Sequence, residues 1–334
     1  MDFLTQIGIS TIVFLQSLGA WLEAPMRFFT FLGSEDFFLI VLPALYWSID
    51  SALGIRVSFV LLADSAAIDL LKMAFAGPRP YWISDRFAAL SAESSFGIPS
   101  GHAARAAGLF GTMAAYLRKG WAWALALPVI LLIGVSRLYF GVHFVHDVLA
   151  GWLLGALVLW LVTAWWGRAA AWLKRQGLAR QVALAFAASA VYVLAAWLIA
   201  RARSGYALPE EWIPFILRAQ SGLPAPLALS GVLTSAGLLF GLSTGLAWME
   251  SRGGYRASGP VLSRILRYIV GLMGVMVFWY GLGAVLPRGE EWLPLLLRFT
   301  RYSLVGGWVS GGAPWVFMRL GLAGRAPAVV QARA

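Results

Sequence analysis

Residues 136–166 read SRLYFGVHFVHDVLAGWLLGALVLWLVTAWW. The string has two halves of opposite character. Its first twelve residues hold Arg137, His143, His146 and Asp147, whereas the nineteen from Val148 to Trp166 carry no charge at all. A helix needs ~20 mostly apolar residues to cross a hydrocarbon core ~30 Å thick, so the second half reads as the body of a membrane span near 144–166. The first half then places ionisable groups at the membrane edge. Such groups are costly there and mark functional positions by default.

Outward from this stretch the same ruler finds further spans near 36–50, 54–76, 102–118, 121–140, 181–201, 226–248, 264–286 and 303–323. Segment 3–22 is counted as the tenth, although Gln6, Ser10 and Ser17 fall on one face and would also suit an interfacial helix. No basic leader and small-residue cleavage site precede it, so no removable signal peptide is expected. Of the 334 residues, 60% are hydrophobic and only 12% charged, against about 25% charged in an ordinary soluble domain. That balance excludes a soluble enzyme, a disordered tail and, despite a net charge of +11, a nucleic-acid binder. Seventeen Trp and ten Tyr suit the headgroup level. With no Cys there is no disulfide, no thiolate nucleophile and no Cys-rich metal site.

Basic residues recur in alternate loops: Arg118 and Lys119; Arg168, Lys174, Arg175 and Arg180; Arg252, Arg256 and Arg264; Arg319, Arg325 and Arg333. One topology puts all four groups in the cytoplasm and turns loops 77–101, 137–147, 202–225 and 287–302 outward. An internal repeat agrees with it. The run Leu208-Pro209-Glu210-Glu211-Trp212 through Arg218 returns as Leu286-Pro287, a two-residue insertion, then Glu290-Glu291-Trp292 through Arg298. Each copy lies between two spans, which makes a parallel two-span repeat of about 80 residues. The expected architecture is all-α, a polytopic membrane helix bundle. It divides into a catalytic core at 1–167, a basic cytoplasmic linker at 168–180 and a duplicated four-span module at 181–334.

All three histidines, His102, His143 and His146, fall between residues 102 and 146, bracketed by Lys72, Arg79 and Arg137. Two Arg and a Lys suit a phosphoryl group, since Arg offers planar paired donors and Lys a point charge. Ser100 and the amide of Gly101 open a helix, where free N–H groups favour an anion. His143 and Asp147 are four apart and share a helix face, so the carboxylate can hold one ring nitrogen and leave the other free as nucleophile or base. His102, on another helix, is available as general acid. No metal site and no cofactor are expected from this set.

Three ordered blocks carry these residues: KMAFAGPRP from Lys72 to Pro80, PSGH at 99–102, and SRLYFGVHFVHD at 136–147. Together they resemble the signature of the PAP2 superfamily of phosphatases, KxxxxxxRP, PSGH and SRxxxxxHxxxD, at every fixed position. The resemblance covers about residues 30–167 and implies a six-helix core, leaving the repeat module outside it. It also implies that His143 attacks phosphorus to form a phosphohistidine, that Asp147 orients His143, and that His102 protonates the leaving oxygen and then activates water. Lys72, Arg79, Ser100, Gly101 and Arg137 would bind the phosphoryl oxygens, without metal.

The remaining polar residues read more plainly. His146 matches no fixed position and is expected to be structural, as is Asp64. Arg105 is expected in helix pairing rather than on a second phosphate. Asp69 and Ser65 serve either as partners of Lys72 or as charge compensation inside the bundle. The Glu-Glu-Trp turns favour interfacial anchors, and GGWVSGG at 306–312 favours close helix packing. The expected activity is hydrolysis of a lipid phosphomonoester or diphosphate at the outer face of the cell (inner) membrane. Candidate substrates are an isoprenyl diphosphate, phosphatidate, phosphatidylglycerol phosphate or a sphingoid-base phosphate. A lipid-linked phosphotransferase with the same covalent step, and a lipid transporter or flippase, are the alternatives. Membrane lipids and the lipid phosphate are the expected partners, with self-association left open.

Overall fold

The computed structural model describes residues 3–219 and 222–325, so Arg333 lies outside the described residues. Helices run in the order α1 Phe3–Ser17, α2 Glu23–Leu32, α3 Glu35–Ala44, α4 Ser51–Phe75, α5 Pro80–Ile83, α6 Gly101–Leu117, α7 Gly120–Tyr139 and α8 Val145–Lys174. They continue as α9 Leu178–Ala202, α10 Ile213–Ala219, α11 Ser230–Glu250, α12 Val261–Met276, α13 Leu282–Val285, α14 Trp292–Gly307 and α15 Ala313–Arg319. No strand occurs among the described residues. The fold is all-α, and the chain is a multi-pass membrane protein.

Among the described residues, five stretches are long and apolar enough to cross a membrane singly: α7, α8, α9, α11 and Val261–Val285. The other expected spans are shorter or carry charge. Helix α6 has 17 residues, and α4, with 25, holds Arg56, Asp64, Asp69 and Lys72. Two of those charges are turned inward, Asp64 (0% exposed) and Lys72 (9%), while Arg56 and Asp69 are half-buried. Segment 3–22 is not one straight helix. The chain breaks at Gly19, which takes φ 110°, and α1 meets Ala20–Leu32 at 94°.

The chain forms two compact units, residues 1–38, 63–160 and 196–228 in one, and 39–62, 161–195 and 229–334 in the other. In the first, α6 and α8 approach very closely. A Cβ on Gly151 would stand 2.5 Å from the Ser100 carbonyl, and one on Gly155 2.2 Å from that of Ala104. Small residues four apart let these backbones meet. Asp147 lies one turn before Gly151, so the same face that packs α8 on α6 carries Asp147 to Ser100. An aromatic core of Tyr81, Trp82, Phe96, Tyr139 and Phe140 closes over Ile216 of α10.

The second unit is built on the pairing of α11 with α14, where Gly237, Gly241 and Gly245 leave room for the facing backbone and for Ser310. Within the 306–312 run, Gly306 and Gly311 pack against Leu238, Leu242 and Gly245. Tyr46, Trp47, Tyr255 and Phe317 form its core, and Arg267, 0% exposed, is held there by the Ala257 carbonyl at 2.6 Å.

The two repeat copies fold differently. The first is a tight turn at Glu210–Trp212 followed by the seven-residue α10, whereas the second opens the sixteen-residue α14. The sequence after each copy accounts for this. Gly222, Pro224 and Pro226 follow the first, while the second runs on into Phe299, Thr300, Arg301 and Tyr302 without a breaker.

Candidate active site

All eight residues expected at the site lie in the first compact unit. Helix α4 ends at Lys72–Phe75, with Ala76 in the left-handed region (φ 51°). The segment Gly77–Arg79 then leads into α5, whose first residue, Pro80, has φ set for that position. Ser100 is the N-cap residue of α6. Its N–H donates to the Asp147 carbonyl at 2.9 Å, tying the second block to the third.

At the start of α8, the Asp147 carboxylate accepts the Phe144 N–H at 2.9 Å, which caps that helix start. The same oxygen, Oδ2, lies 3.3 Å from His143 Nδ1. On the opposite side of the ring, Arg79 Nη1 lies 3.3 Å from His143 Nε2. A guanidinium can only donate, so Nε2 accepts and the ring proton sits on Nδ1, facing Asp147. This tautomer leaves the lone pair on Nε2. The other carboxylate oxygen, Oδ1, is 3.4 Å from Nε2 of His146, whose ring stacks on Phe144. Asp147 therefore serves two histidines, and His146 is nearer the centre than its place in the sequence implied.

Burial is deep. His143 and Asp147 are each 1% exposed, Arg79 and Ser100 0%, and Arg137 2%. The Ser100 hydroxyl is buried with no hydrogen-bond partner. Burial first, then the charges of Arg79, Lys72, Arg137 and His102, hold His143 well below the usual imidazole range. His102, at the first turn of α6, is half-buried beside Gly33, where a Cβ would stand 3.3 Å from its Cδ2. It lies within electrostatic reach of Arg137, Arg105, Lys72 and Arg79.

The three expected phosphate-binding cations are occupied by one short segment, Glu93–Phe96. Lys72 Nζ donates to Ser95 Oγ at 2.8 Å. Arg79 donates to the Ser95 carbonyl at 2.6 Å, to Ser95 Oγ and the Phe96 carbonyl at 3.1 Å, and to the Val142 carbonyl at 2.9 Å. With His143 added, all five of its N–H donors are engaged. Arg137 pairs with the Glu93 carboxylate and donates to Thr30 Oγ1 at 2.5 Å. Burial raises the Glu93 carboxyl, but Arg79, Arg137, Lys72 and Arg105 outweigh it and hold the group below the usual carboxylate range. Tyr81 fixes the Glu93 backbone, its hydroxyl both donating to the carbonyl and accepting from the N–H at 3.0 Å.

Glu93, Ser95, Thr30 and Gln16 were not singled out from sequence. Gln16 of α1 bridges the Ala88 and Tyr139 carbonyls at 2.8 Å and so pins the same loop. Arg105 pairs with Glu35 at 3.3 Å, as a helix-pairing role requires. Residues 203–219 also reach the site's support. Arg203 donates to the Ala74 carbonyl at the end of α4, Tyr206 packs edge-on against Phe96 at 5.4 Å, and Trp212 lies 6.0 Å from Trp82. Among the described residues, no group of three or more His, Asp or Glu is placed to hold a metal ion.

Residues 53–171 match the PAP2 superfamily, and residues 233–325 match the PAP2 superfamily phosphatase transmembrane extension. The second match corrects the expectation that the C-terminal module lies outside the resemblance. Phosphatidylglycerophosphatase B of Bacillus subtilis (strain 168) is 34% identical over 155 residues, covering 42% of this chain and 74% of that protein. Glucose-6-phosphatase 3 of Homo sapiens is 32% identical over 181 residues, 47% of this chain and 52% of that protein. A solved crystal structure of a transmembrane PAP2-type phosphatidylglycerolphosphate phosphatase from Bacillus subtilis aligns over 50% of this chain and 88% of its own at 30% identity, with a TM-score of 0.44. With the three blocks meeting around His143 and a curated relative matched over most of its length, the chain belongs to the PAP2 superfamily of membrane phosphatases.

Proposed function

We propose that the chain is a multi-pass lipid phosphatase that removes phosphate from a lipid phosphomonoester or diphosphate through a phosphohistidine. The observation that carries this reading is the line Asp147–His143–Arg79, which leaves a neutral imidazole whose Nε2 lone pair faces Arg79 and becomes available for attack once phosphate takes over that contact. That lone pair forms the P–N bond as the P–O bond to the leaving group breaks. His102 gives its proton to the departing oxygen. Asp147 offsets the positive charge that His143 acquires. Water then attacks phosphorus, passes a proton to His102, and the P–N bond breaks to restore Nε2. Lys72, Arg79, Arg137, Ser100 and the Gly101 amide take the phosphoryl oxygens, which need donors most where charge gathers in the transition state. Since every donor of Arg79 is engaged, phosphate must exchange for its contacts with His143 and Ser95 Oγ. No metal enters the scheme.

The catalytic core extends over 1–167, with 168–180 as linker and 181–334 as the repeat module. Loops 77–101 and 137–147 face the extracytoplasmic side of the cell membrane. A lipid substrate is favoured by the relative named a phosphatidylglycerophosphatase, whereas the one named a glucose-6-phosphatase favours a sugar phosphate as second reading.

The test is phosphate release by purified protein, after exhaustive chelation, on the four lipid classes and on glucose 6-phosphate. Stoichiometric phosphate from a lipid, lost in His143→Ala and strongly slowed in His102→Ala, is the expected result. Near-wild-type release in His143→Ala, or a strict need for one added metal, overturns the mechanism. Transfer of phosphate to an acceptor hydroxyl without free phosphate identifies the transferase, and lipid movement that survives His143→Ala identifies a transporter.

A further inference from the structure

The second repeat copy ends in an arrangement that the catalytic reading leaves unused. Arg298 and Arg301 lie three apart on α14, so they are neighbours on one helix face. Both guanidinium carbons lie over the ring of Tyr302, at 5.9 and 4.8 Å from its centroid. Arg298 Nε donates to Thr234 Oγ1 of α11 at 2.8 Å, which fixes that fork in place. Arg301 Nε is buried without a hydrogen-bond partner, and its Nη1 would stand 2.6 Å from a Cβ on the buried Gly283. From the loop, Arg288 reaches the carbonyl of the same Gly283 at 3.5 Å. Three guanidinium groups thus gather around Gly283, Tyr302 and Thr234.

Nothing among the described residues neutralises them. Among the described residues no carboxylate is within ion-pair distance of Arg288, Arg298 or Arg301. The two acids of the repeat are turned elsewhere. Glu290 accepts the Leu229 N–H at 2.9 Å, and Glu291 folds back on Gly289. The first copy makes the contrast plain, since its Arg218, equivalent to Arg298, is paired with Asp85 at 3.3 Å. Three like charges gathered at one place repel one another, and Arg298 and Arg301, both partly buried, also carry a desolvation cost that an anion would offset. Forked donors beside an aromatic ring at headgroup depth suit a phosphate oxygen pair better than a single-point anion.

We infer that Arg288, Arg298 and Arg301 form a second anion site, within the transmembrane extension, that holds the phosphate of a membrane phospholipid headgroup. Arg298 and Arg301 grip the phosphate oxygens, Arg288 closes over it, and the bare Gly283 makes room. The site is independent of the chemistry assigned to His143.

The test uses the full chain in nanodiscs of phosphatidylcholine doped with phosphatidylglycerol. Native mass spectrometry counts the phosphatidylglycerol retained after transfer to detergent. Wild-type protein is expected to keep this lipid, and Arg298→Gln/Arg301→Gln to hold it about tenfold to 100-fold less tightly, the range for losing charge-assisted hydrogen bonds. His143→Ala should retain it as wild type does, which separates this site from the catalytic one. Undiminished retention by the double variant overturns the inference. Should that variant not fold, Arg301→Lys keeps the charge and loses the fork, and full retention there overturns it equally. A last arm adds inorganic phosphate at millimolar concentration. Displacement of the lipid by phosphate alone would assign the site to free phosphate and reject the lipid.

Discussion

Arg79 offers five donors and the protein engages every one, so the residue expected to grip phosphate also holds His143 in the tautomer with its proton on Nδ1. The charge environment of His143 gives a pH prediction. Protonation would add a positive charge to a buried ring facing Arg79, Lys72 and Arg137, so the neutral form persists to lower pH than for a free imidazole. The acidic limb of kcat/KM, which reports the free enzyme, is therefore expected below the ordinary value of about 6.5. The limb of kcat should lie higher, because bound phosphate stabilises the imidazolium. A kcat/KM limb above pH 6.5 would show that another group sets it. Glu93 gives a second prediction. Its carboxylate sits against Arg137 and is held charged by Arg79, Lys72 and Arg105, where it competes with an incoming phosphate. Glu93→Gln is expected to lower KM by about three- to tenfold, the size of one partly screened charge contact. A lower kcat at unchanged KM would instead make Glu93 a positioning residue for Arg137.

Among the elements, the segment Arg203–Ala219 decides how far the site depends on residues beyond the matched 53–171 region. Tyr206 and Trp212 pack on Phe96 and Trp82, and Phe96 supplies one of the carbonyls that hold Arg79. Trp212→Ala is expected to lower kcat severalfold, with a smaller effect on KM and rescue by Trp212→Phe, measured by steady-state kinetics on folded protein. Equal activity in all three would reduce the segment to an anchor. The helices and the three blocks were legible in sequence because span length and reaction chemistry each dictate residue type. Glu93, Ser95 and Gln16 were not, since a Ser or Glu in a polar loop looks the same whether it meets water or a buried guanidinium. The bend at Gly19 was hidden for a similar reason. Hydropathy records how apolar a stretch is, not whether it stays straight.

For the molecule as a whole, the alternating basic loops predict sidedness, and the absence of cysteine makes the test clean. A cysteine at Ala89 should react with an impermeant thiol reagent in intact cells, and one at Arg325 should not; the reverse pattern inverts the topology. The ten expected spans were harder to read than the helices themselves. In α4, the charges that make the sequence look too polar are those folded inward around Lys72 and Asp64. The packing of Trp212 over the loop beside Arg79 has a consequence in time. Translation proceeds at about 5–20 residues per second. Asp147 therefore leaves the ribosome roughly 3–13 s before Trp212, since 65 residues separate them. For that interval every chemical group of the cluster exists, but the segment that steadies it has not been made. A product released early would carry all three blocks without the rings that pack on Trp82 and Phe96.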